Sequence, residues 1–207
     1  MKEKIDLDKW VRKPHFEFYS KFDEPYYGVC VRVDCSVAYA KSKSEGYSFF
    51  LYYLYQSVAA ANTVKAFRLR IEGEDVVLYD KINAGSTAPR DNGTFGFAYY
   101  TYTDDIQAFM AESSRELQRV RETTGLERRK VTDLIRYSAV PWIDFTSLSH
   151  PRWFKSGDSC PWISFGKMTE VDGRRSMPMS VHVHHALVDG VDVGAYIDAF
   201  QRLMNGE

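Results

Sequence analysis

The stretch that most constrains the fold is SFFLYYLYQSVAAAN, residues 48–62, which is apolar nearly all round a helix. A helix without a polar face must be covered on several sides, so it belongs in the interior of a domain. We expect Ser48 to cap this helix and a sheet to lie against it. A chain of 207 residues, 44% of them hydrophobic, can bury such a helix within one domain.

The remaining segments predict strands and helices that do not alternate regularly, which is typical of an α+β fold with a largely antiparallel or mixed sheet packed by helices. Glu72-Gly73 and Asp172-Gly173 are turn signals that predict two hairpins. No repeat or linker divides the chain, so we expect a single domain, residues 1–207. Residues 6–22 predict a short strand and helix; further strands are predicted at 26–34, 67–71, 74–80, 94–102, 134–140, 162–171 and 175–185, and helices at 36–44, 48–62, 104–123 and 192–204.

Charge and composition exclude several function classes. The net charge of −1 and the lack of a basic tail argue against a nucleic-acid partner. No apolar run approaches the roughly 18 residues of a membrane span, and the polar start MKEKIDLDKW lacks a signal-peptide core. The three cysteines lack C-x-x-C spacing. They fit a reducing cytoplasm, as small buried hydrophobes, with a nucleophilic cysteine as the alternative.

The segment VHVHHALVDG, residues 181–190, places three histidines within four positions. Strand alternation puts His185 at the end of the apolar face and turns His182 and His184 to the other face. His182 and His184 could share a metal ion, but no third ligand is apparent, so we predict no metal site. His185 is either a core histidine bonded to backbone or a general base. Asp189 requires a cationic partner, which periodicity does not identify, and Asp192 is a plausible helix cap.

Three motifs carry a resemblance to a known family. HHALVDG, residues 184–190, fits HHxxxDG and resembles the signature of chloramphenicol acetyltransferases and of the acyltransferase cores of 2-oxoacid dehydrogenase complexes. WVRKPHFEFY, residues 10–19, and YSAVPWIDFTS, residues 137–147, resemble segments of chloramphenicol acetyltransferases in particular. The resemblance runs from about residue 8 to the end. A dihydrolipoamide acyltransferase is the weaker alternative, because no Pro/Ala-rich linker or lipoyl-type segment is present.

The resemblance implies a two-layer α/β sandwich and a homotrimer with active sites between subunits. It implies transfer of an acetyl group from acetyl-CoA, as co-substrate, to a hydroxyl of a small molecule, without a metal. Chloramphenicol or a related compound would be the acceptor, and antibiotic resistance the role. The alternatives are a different hydroxyl acceptor and a catalytically silent ligand-binding homologue.

The resemblance also implies roles for individual residues. His185 would accept the proton of the acceptor hydroxyl, its tautomer held by its own backbone carbonyl. Arg12 would pair with Asp189, Ser138 would donate to the oxyanion, and Ser164 would hold a bridging water. Acceptor-binding residues would be Phe18, Tyr19, Phe95, Leu148 and His150, and cofactor-binding residues Lys167 and Ser138.

The sequence departs from the family pattern around both substrates. Ser164 replaces a threonine, and Met168 replaces an aromatic residue. Residues 45–47, EGY, stand where the family has a lysine near the CoA phosphates, which leaves Lys167, Arg174 and Arg175 as candidates. His150 is polar where the family tends to be apolar, which is the basis for keeping an acceptor of different polarity as the alternative.

Overall fold

The computed structural model describes residues 1–152 and 157–207. Ten strands and five α-helices occur in these two ranges, with a 3-10 turn at Lys65–Arg68. The strands are β1 Lys2–Lys4, β2 Tyr26–Asp34, β3 Leu69–Glu72, β4 Asp75–Tyr79, β5 Asn83–Pro89, β6 Phe95–Tyr100, β7 Leu134–Ala139, β8 Trp162–Phe165, β9 Thr169–Val171 and β10 Arg174–His184. The helices are α1 Lys13–Tyr19, α2 Ser36–Ser44, α3 Phe49–Thr63, α4 Ile106–Glu122 and α5 Gly190–Met204.

The strands form two sheets. The large sheet has the order β2-β10-β8-β7-β5-β6, with β9 paired to β10, and the small one the order β1-β4-β3. Strand β7 runs parallel to both β5 and β8, whereas the other pairs among the described strands are antiparallel. The predicted α+β class with a mixed, largely antiparallel sheet is confirmed.

Helix α3 lies in the core, as its apolar sequence predicts. Tyr52, Leu54 and Val58 are buried on it. Its Ser57 hydroxyl is 2.9 Å from the hydroxyl of Tyr137 on β7 and 2.7 Å from that of Tyr196 on α5. These bonds satisfy polar groups that would otherwise be costly to bury, and they join sheet to helices. Ser48 is at the N-cap position, but its side chain makes no capping hydrogen bond, contrary to expectation.

Both predicted hairpins are present, although the first turn lies at Gly73 and Glu74, one residue later than predicted. Glu72 pairs with Asp75 across Gly73, at φ +63°. Val171 pairs with Arg174 across Asp172 and Gly173, at φ +49° and +76°. Two consecutive positive φ values match the twist of the flanking strands.

Several predicted boundaries are wrong. Strand β1 and strand β5, whose sequence NAGSTAP carries little strand propensity, were not predicted. The expected strand 162–171 is interrupted at Gly166, where a Cβ would lie 2.7 Å from the carbonyl oxygen of Ile143. Asp189, rather than Asp192, is the N-cap of α5, and Asp192 instead accepts the backbone N–H of Asp189 at 2.9 Å.

The two faces of the large sheet have different surroundings. Buried Met177, Met179, Val181 and Val183 of β10 belong to the core beneath the helices. The opposite face is crossed by residues 140–152; there the Ile143 carbonyl accepts the backbone N–H of residue 167 at 2.8 Å. The functional residues predicted from the sequence divide between the end of β10 and this second face.

The cysteines do not all follow expectation. Cys35 and Cys160 are buried, but Cys30 is exposed. Cys30 is opposite Ser180 on strand β2 at the edge of the sheet, on the face away from the helices, so the helical layer does not cover it.

Candidate active site

His185 is the first residue beyond β10. Its backbone N–H donates to the Pro25 carbonyl at 2.8 Å, which continues the pairing of β10 with β2. The imidazole stacks on Tyr19 of α1, with ring centroids 4.1 Å apart and 11° between planes, and packs against Tyr27 of β2 at 4.6 Å. The side chain remains 32% exposed. A fixed ring with an accessible edge is suited to proton transfer.

A guanidinium holds the loop that carries this histidine. Both nitrogens of the Arg12 fork bond the Asp189 carboxylate; the Nη2–Oδ1 distance is 3.1 Å. The same Nη2 donates to the His185 carbonyl at 3.1 Å. The hydrogen bond from Arg12 is the main cause that lowers the pKa of Asp189. The structure thus brings Arg12, Asp189 and His185 together, and bidentate pairing fixes their mutual orientation.

The contacts of His185 Nδ1 differ from the expectation. This nitrogen is buried and makes no hydrogen bond among the described residues, so the expected donation from Nδ1–H to the carbonyl of His185 itself is not observed. It lies 3.4 Å from Oδ1 of Asp189. A nearby carboxylate favours the tautomer with the proton on Nδ1, which leaves the Nε2 lone pair to accept a proton.

Tyr27 contributes to this site although the sequence analysis did not single it out. Its hydroxyl is buried and has no hydrogen-bond partner in residues 1–152 and 157–207. Burial, with a further contribution from Asp189, raises the pKa of Tyr27 to about 12. Tyr27 is opposite Val183 of β10. Only this pairing places the ring beside His185, and the sequence of β2 alone gives no signal for it.

Two of the predicted acceptor-binding residues belong to the same region. Phe18 and Tyr19, on α1, meet edge to face at 5.1 Å. Tyr19 covers the imidazole, whereas Phe18 is 58% exposed. The aromatic group therefore continues from His185 to the protein surface.

A second cluster contains the predicted oxyanion donor. Ser138 of β7 is opposite Ser164 of β8, which in turn is opposite Ser180 of β10. The three side chains lie on the face away from the helices. The Ser164 hydroxyl is 2.7 Å from Nε2 of His150. Ser164 therefore bonds a side chain where the sequence predicted a water.

The His150 ring lies among other rings. Its centroid is 4.9 Å from that of Trp162 and 6.0 Å from that of His182. Burial, followed by His182 and Arg152, lowers the pKa of His150 to about 4. Burial likewise lowers the pKa of His182. The two imidazoles are therefore neutral near pH 7.

The two clusters are far apart within one chain. Ser164 lies level with Ser180, and five residues of extended strand, about 17 Å, separate Ser180 from His185. Ser138 is one strand farther away. A single copy of the chain therefore does not bring the predicted base to the predicted oxyanion donor.

The other predicted site residues belong with the second cluster or lie beyond it. Leu148 is in the same connecting segment as His150. Lys167 follows β8 and is exposed. Phe95 is on β6 at the far edge of the sheet, on the face shared with Ser138.

A cleft of about 720 Å³ lies beside both clusters, because its lining includes Pro25, which bonds the backbone of His185, and Trp162, which packs against His150. Its lining also includes Tyr26, Arg152 and His184. Neither His185 nor Ser138 lines it.

In residues 1–152 and 157–207 there is no group of three or more His, Cys, Asp or Glu side chains placed to hold a metal ion. None of the helices in these ranges has the length and apolar character needed to cross a membrane.

Comparison with known proteins identifies the family. The family model for chloramphenicol acetyltransferase matches residues 2–201. The chain belongs to the chloramphenicol acetyltransferase family. Chloramphenicol acetyltransferase 3 of Escherichia coli is 27% identical over 99% of this chain and 97% of its own length. The Proteus mirabilis chloramphenicol acetyltransferase is 26% identical over 96% and 92%.

Solved structures agree with this assignment. A chloramphenicol acetyltransferase structure superposes with a TM-score of 0.92 at 31% identity, covering 99% of this chain and 100% of the other. A truncated catalytic core of the 2-oxoacid dehydrogenase complex from Thermoplasma acidophilum shares the fold, with a TM-score of 0.68 at 17% identity and 94% of both chains covered. This member of the chloramphenicol acetyltransferase family is an acyltransferase, and the family uses acetyl-CoA as co-substrate.

Proposed function

We propose that this acyltransferase transfers the acetyl group of acetyl-CoA to a hydroxyl of a small molecule, chloramphenicol or a related compound, with His185 as general base. The observation that carries the proposal is the fixed position of His185. Arg12 and Asp189 hold its loop, Tyr19 and Tyr27 hold its ring, and one edge of the ring is accessible.

The proposed reaction proceeds through a tetrahedral intermediate. Nε2 of His185 accepts the hydroxyl proton while the hydroxyl oxygen attacks the thioester carbonyl. The carbonyl oxygen becomes an oxyanion and accepts a hydrogen bond from Ser138; such a donor contributes roughly 3 to 4 kcal/mol to the barrier reduction. When the intermediate collapses, the C–S bond breaks and the CoA thiolate takes the proton from His185.

We further propose that each active site forms between two copies of the chain in a homotrimer. The separation of about 17 Å between the level of His185 and that of Ser164 supports a site shared between copies. Exposed apolar side chains at both clusters, Phe18 near His185 and Trp142 after β7, offer surface for such contacts. The number three rests on the family resemblance.

Mixed assembly tests the shared site. His185→Ala and Ser138→Ala chains are each expected to be nearly inactive. Unfolding them together and refolding them as a mixture should restore part of the activity, because some interfaces then pair an intact His185 with an intact Ser138. Activity that stays at the level of the separate variants, in mixed assemblies verified by mass spectrometry, would contradict a shared site.

Acetyl-CoA is proposed to bind beside the second cluster, where Ser138 and exposed Lys167 lie. Arg174 is also exposed and can contribute to phosphate binding. Arg175 is already paired with Glu170 at 2.7 Å, which makes it the weaker candidate.

An acceptor other than chloramphenicol is the second candidate, and one observation favours it. His150 and Trp162 place an imidazole and an indole beside Ser164. This part of the site is therefore more polar than the family pattern, which tends to have apolar residues here. Thiol release from acetyl-CoA, measured with and without chloramphenicol, separates the candidates. Thiol release that other hydroxyl compounds stimulate, but chloramphenicol does not, would support an acceptor other than chloramphenicol.

The setting of the enzyme is also proposed. Residues 1–207 are taken as one domain, because a common hydrophobic cluster includes side chains from β2 to α5. A cytoplasmic location is proposed because the three cysteines are free thiols.

A further inference from the structure

The contact between half-buried His150 and buried Ser164 is a polar pair that acetyl transfer, as described so far, does not use. Ser164 is only 1% exposed, and its hydroxyl is 2.7 Å from Nε2 of His150. A buried hydroxyl needs partners for its proton and for its lone pairs. The direction of this one hydrogen bond therefore decides what Ser164 can do for a substrate.

The neighbouring residues fix the imidazole in place. Trp162 and His182 lie 4.9 and 6.0 Å from it, centroid to centroid. His182 is itself held, with Nδ1 3.1 Å from the Ser180 hydroxyl and its ring over Gly28, where a Cβ would approach within 2.4 Å. The position of the His150 ring is therefore imposed by strands β2, β8 and β10.

A neutral imidazole carries one N–H donor and one acceptor nitrogen. If Nε2 of His150 is the acceptor, the Ser164 proton is used in that bond, and the hydroxyl cannot donate to anything else. If Nε2 is the donor, it occupies a lone pair of Ser164 and the Ser164 proton is free. The two tautomers thus give Ser164 opposite roles.

Ser164 is placed where a free proton would be useful. It is opposite Ser138, the proposed oxyanion donor, on a neighbouring strand, and strands lie about 4.8 Å apart. A second O–H directed to this side would add to the stabilisation of negative charge that develops near Ser138.

We propose that His150 is a positioning residue for acetyl transfer: its Nε2–H donates to the Ser164 hydroxyl and leaves the Ser164 proton free to be donated on the side of Ser138. This inference rests on the proposed function. It concerns the direction of one hydrogen bond and does not require His150 to touch either substrate.

The tautomer can be measured without turnover. In the full-length protein with ¹⁵N-labelled histidine, long-range ¹H–¹⁵N spectra at pH 7 distinguish Nε2–H from Nδ1–H rings. The signal missing in His150→Gln identifies His150. The inference requires the Nε2–H form, and finding the Nδ1–H form would overturn it.

A double-mutant cycle tests the consequence for catalysis. His150→Leu should lower kcat about tenfold and leave KM for acetyl-CoA unchanged, and Ser164→Ala should have a similar effect. The double variant should be no slower than Ser164→Ala. His150→Gln, whose amide can donate from the same place, should stay within about threefold of the wild type. Circular dichroism and thermal unfolding verify that each variant is folded.

The contradicting outcomes are distinct. Losses in kcat that multiply in the double variant would show that His150 acts independently of Ser164 and would overturn the inference alone. A folded wild-type protein that transfers no acetyl group to any hydroxyl acceptor would overturn the proposed function, and with it the catalytic role given to His150, whatever tautomer is measured.

Discussion

The two ends of the proposed site are built from different interactions. At His185 the anchoring bonds involve formal charges, since Arg12 bonds both Asp189 and the His185 carbonyl in a partly exposed position. At Ser164 a buried hydroxyl is hydrogen-bonded to the half-buried imidazole of His150, whose pKa is lowered by burial. A charged pair is tolerated at the partly exposed His185 end because water still solvates the charges there. A charge beside buried Ser164 would carry a large desolvation cost. Four predictions test this contrast, from the largest expected effect to the smallest.

Removing the base tests the charged end most directly. His185→Ala should lower kcat by about 10⁴-fold, because no other described group is placed to accept the hydroxyl proton. Binding of acetyl-CoA, measured by calorimetry, should persist. A loss of less than about tenfold in a folded variant would remove His185 from the reaction.

Removing the cation should affect catalysis through position. Arg12→Ala frees the Asp189 carboxylate and the loop carrying His185, and displacement of a catalytic group by about 1 Å can cost about 10²-fold. We expect a fall of that order in kcat. The matched control is Lys4→Ala, which removes an exposed ion pair with Asp75 in the small sheet and should leave kcat unchanged. Equal effects of the two variants on kcat would show that the Arg12–Asp189 ion pair does not position His185.

Acid should destabilise the fold through His184, a buried neutral histidine of β10. His184 is 6% exposed, its Nδ1 accepts the backbone N–H of Ala186 at 3.3 Å, and burial lowers its pKa to about 4. The His184 imidazole is protonated near pH 6.5 in the unfolded chain but only near pH 4 in the folded one. The contribution of neutral His184 to the free energy of unfolding is therefore complete above pH 6.5 and is lost as the pH falls to about 4. We expect a loss of about 3 kcal/mol in the free energy of unfolding by pH 4.

Denaturant unfolding between pH 7 and 4 measures this effect. His150 and His182, whose pKa values are also lowered, add to the slope in the same direction. His184→Gln should reduce the slope by about one proton. An unchanged slope in that variant would show that His184 does not stay neutral in the folded protein.

Crowding the His182 ring, which lies beside the His150 ring, should have the smallest effect of the four. Gly28→Ala places a Cβ 2.4 Å from the His182 ring, which must shift, and overpacking of this kind costs about 1 to 2 kcal/mol. Gly194→Ala in α5 meets nothing within 4 Å and should stabilise by up to about 1 kcal/mol. Thermal unfolding of both variants gives the comparison, and a Gly28→Ala protein as stable as the wild type would show that His182 moves freely.

Local patterns predicted a large part of the fold. The strand at Tyr26–Asp34, the helix at Ser36–Ser44 and the second hairpin are where the sequence placed them, and the first hairpin turns one residue later. The sequence did not predict β5, since NAGSTAP has few residues that favour a strand. It becomes a strand because β6 and β7 pair with its two edges. Pairing partners distant in sequence leave no periodic signal in the segment they stabilise.

The candidate site divides in the same way. The motif HHxxxDG singled out His185 and Asp189, because it depends on residue type and short spacing. Their partner Arg12 is 177 residues from Asp189, and only the family resemblance implied that pairing. Tyr27 beside His185, the bond from His150 to Ser164 and the distance between His185 and Ser138 depend on strand register. Alternation along a strand determines which face a side chain occupies, but only the packing of the whole chain decides which strand lies next to it and at what level.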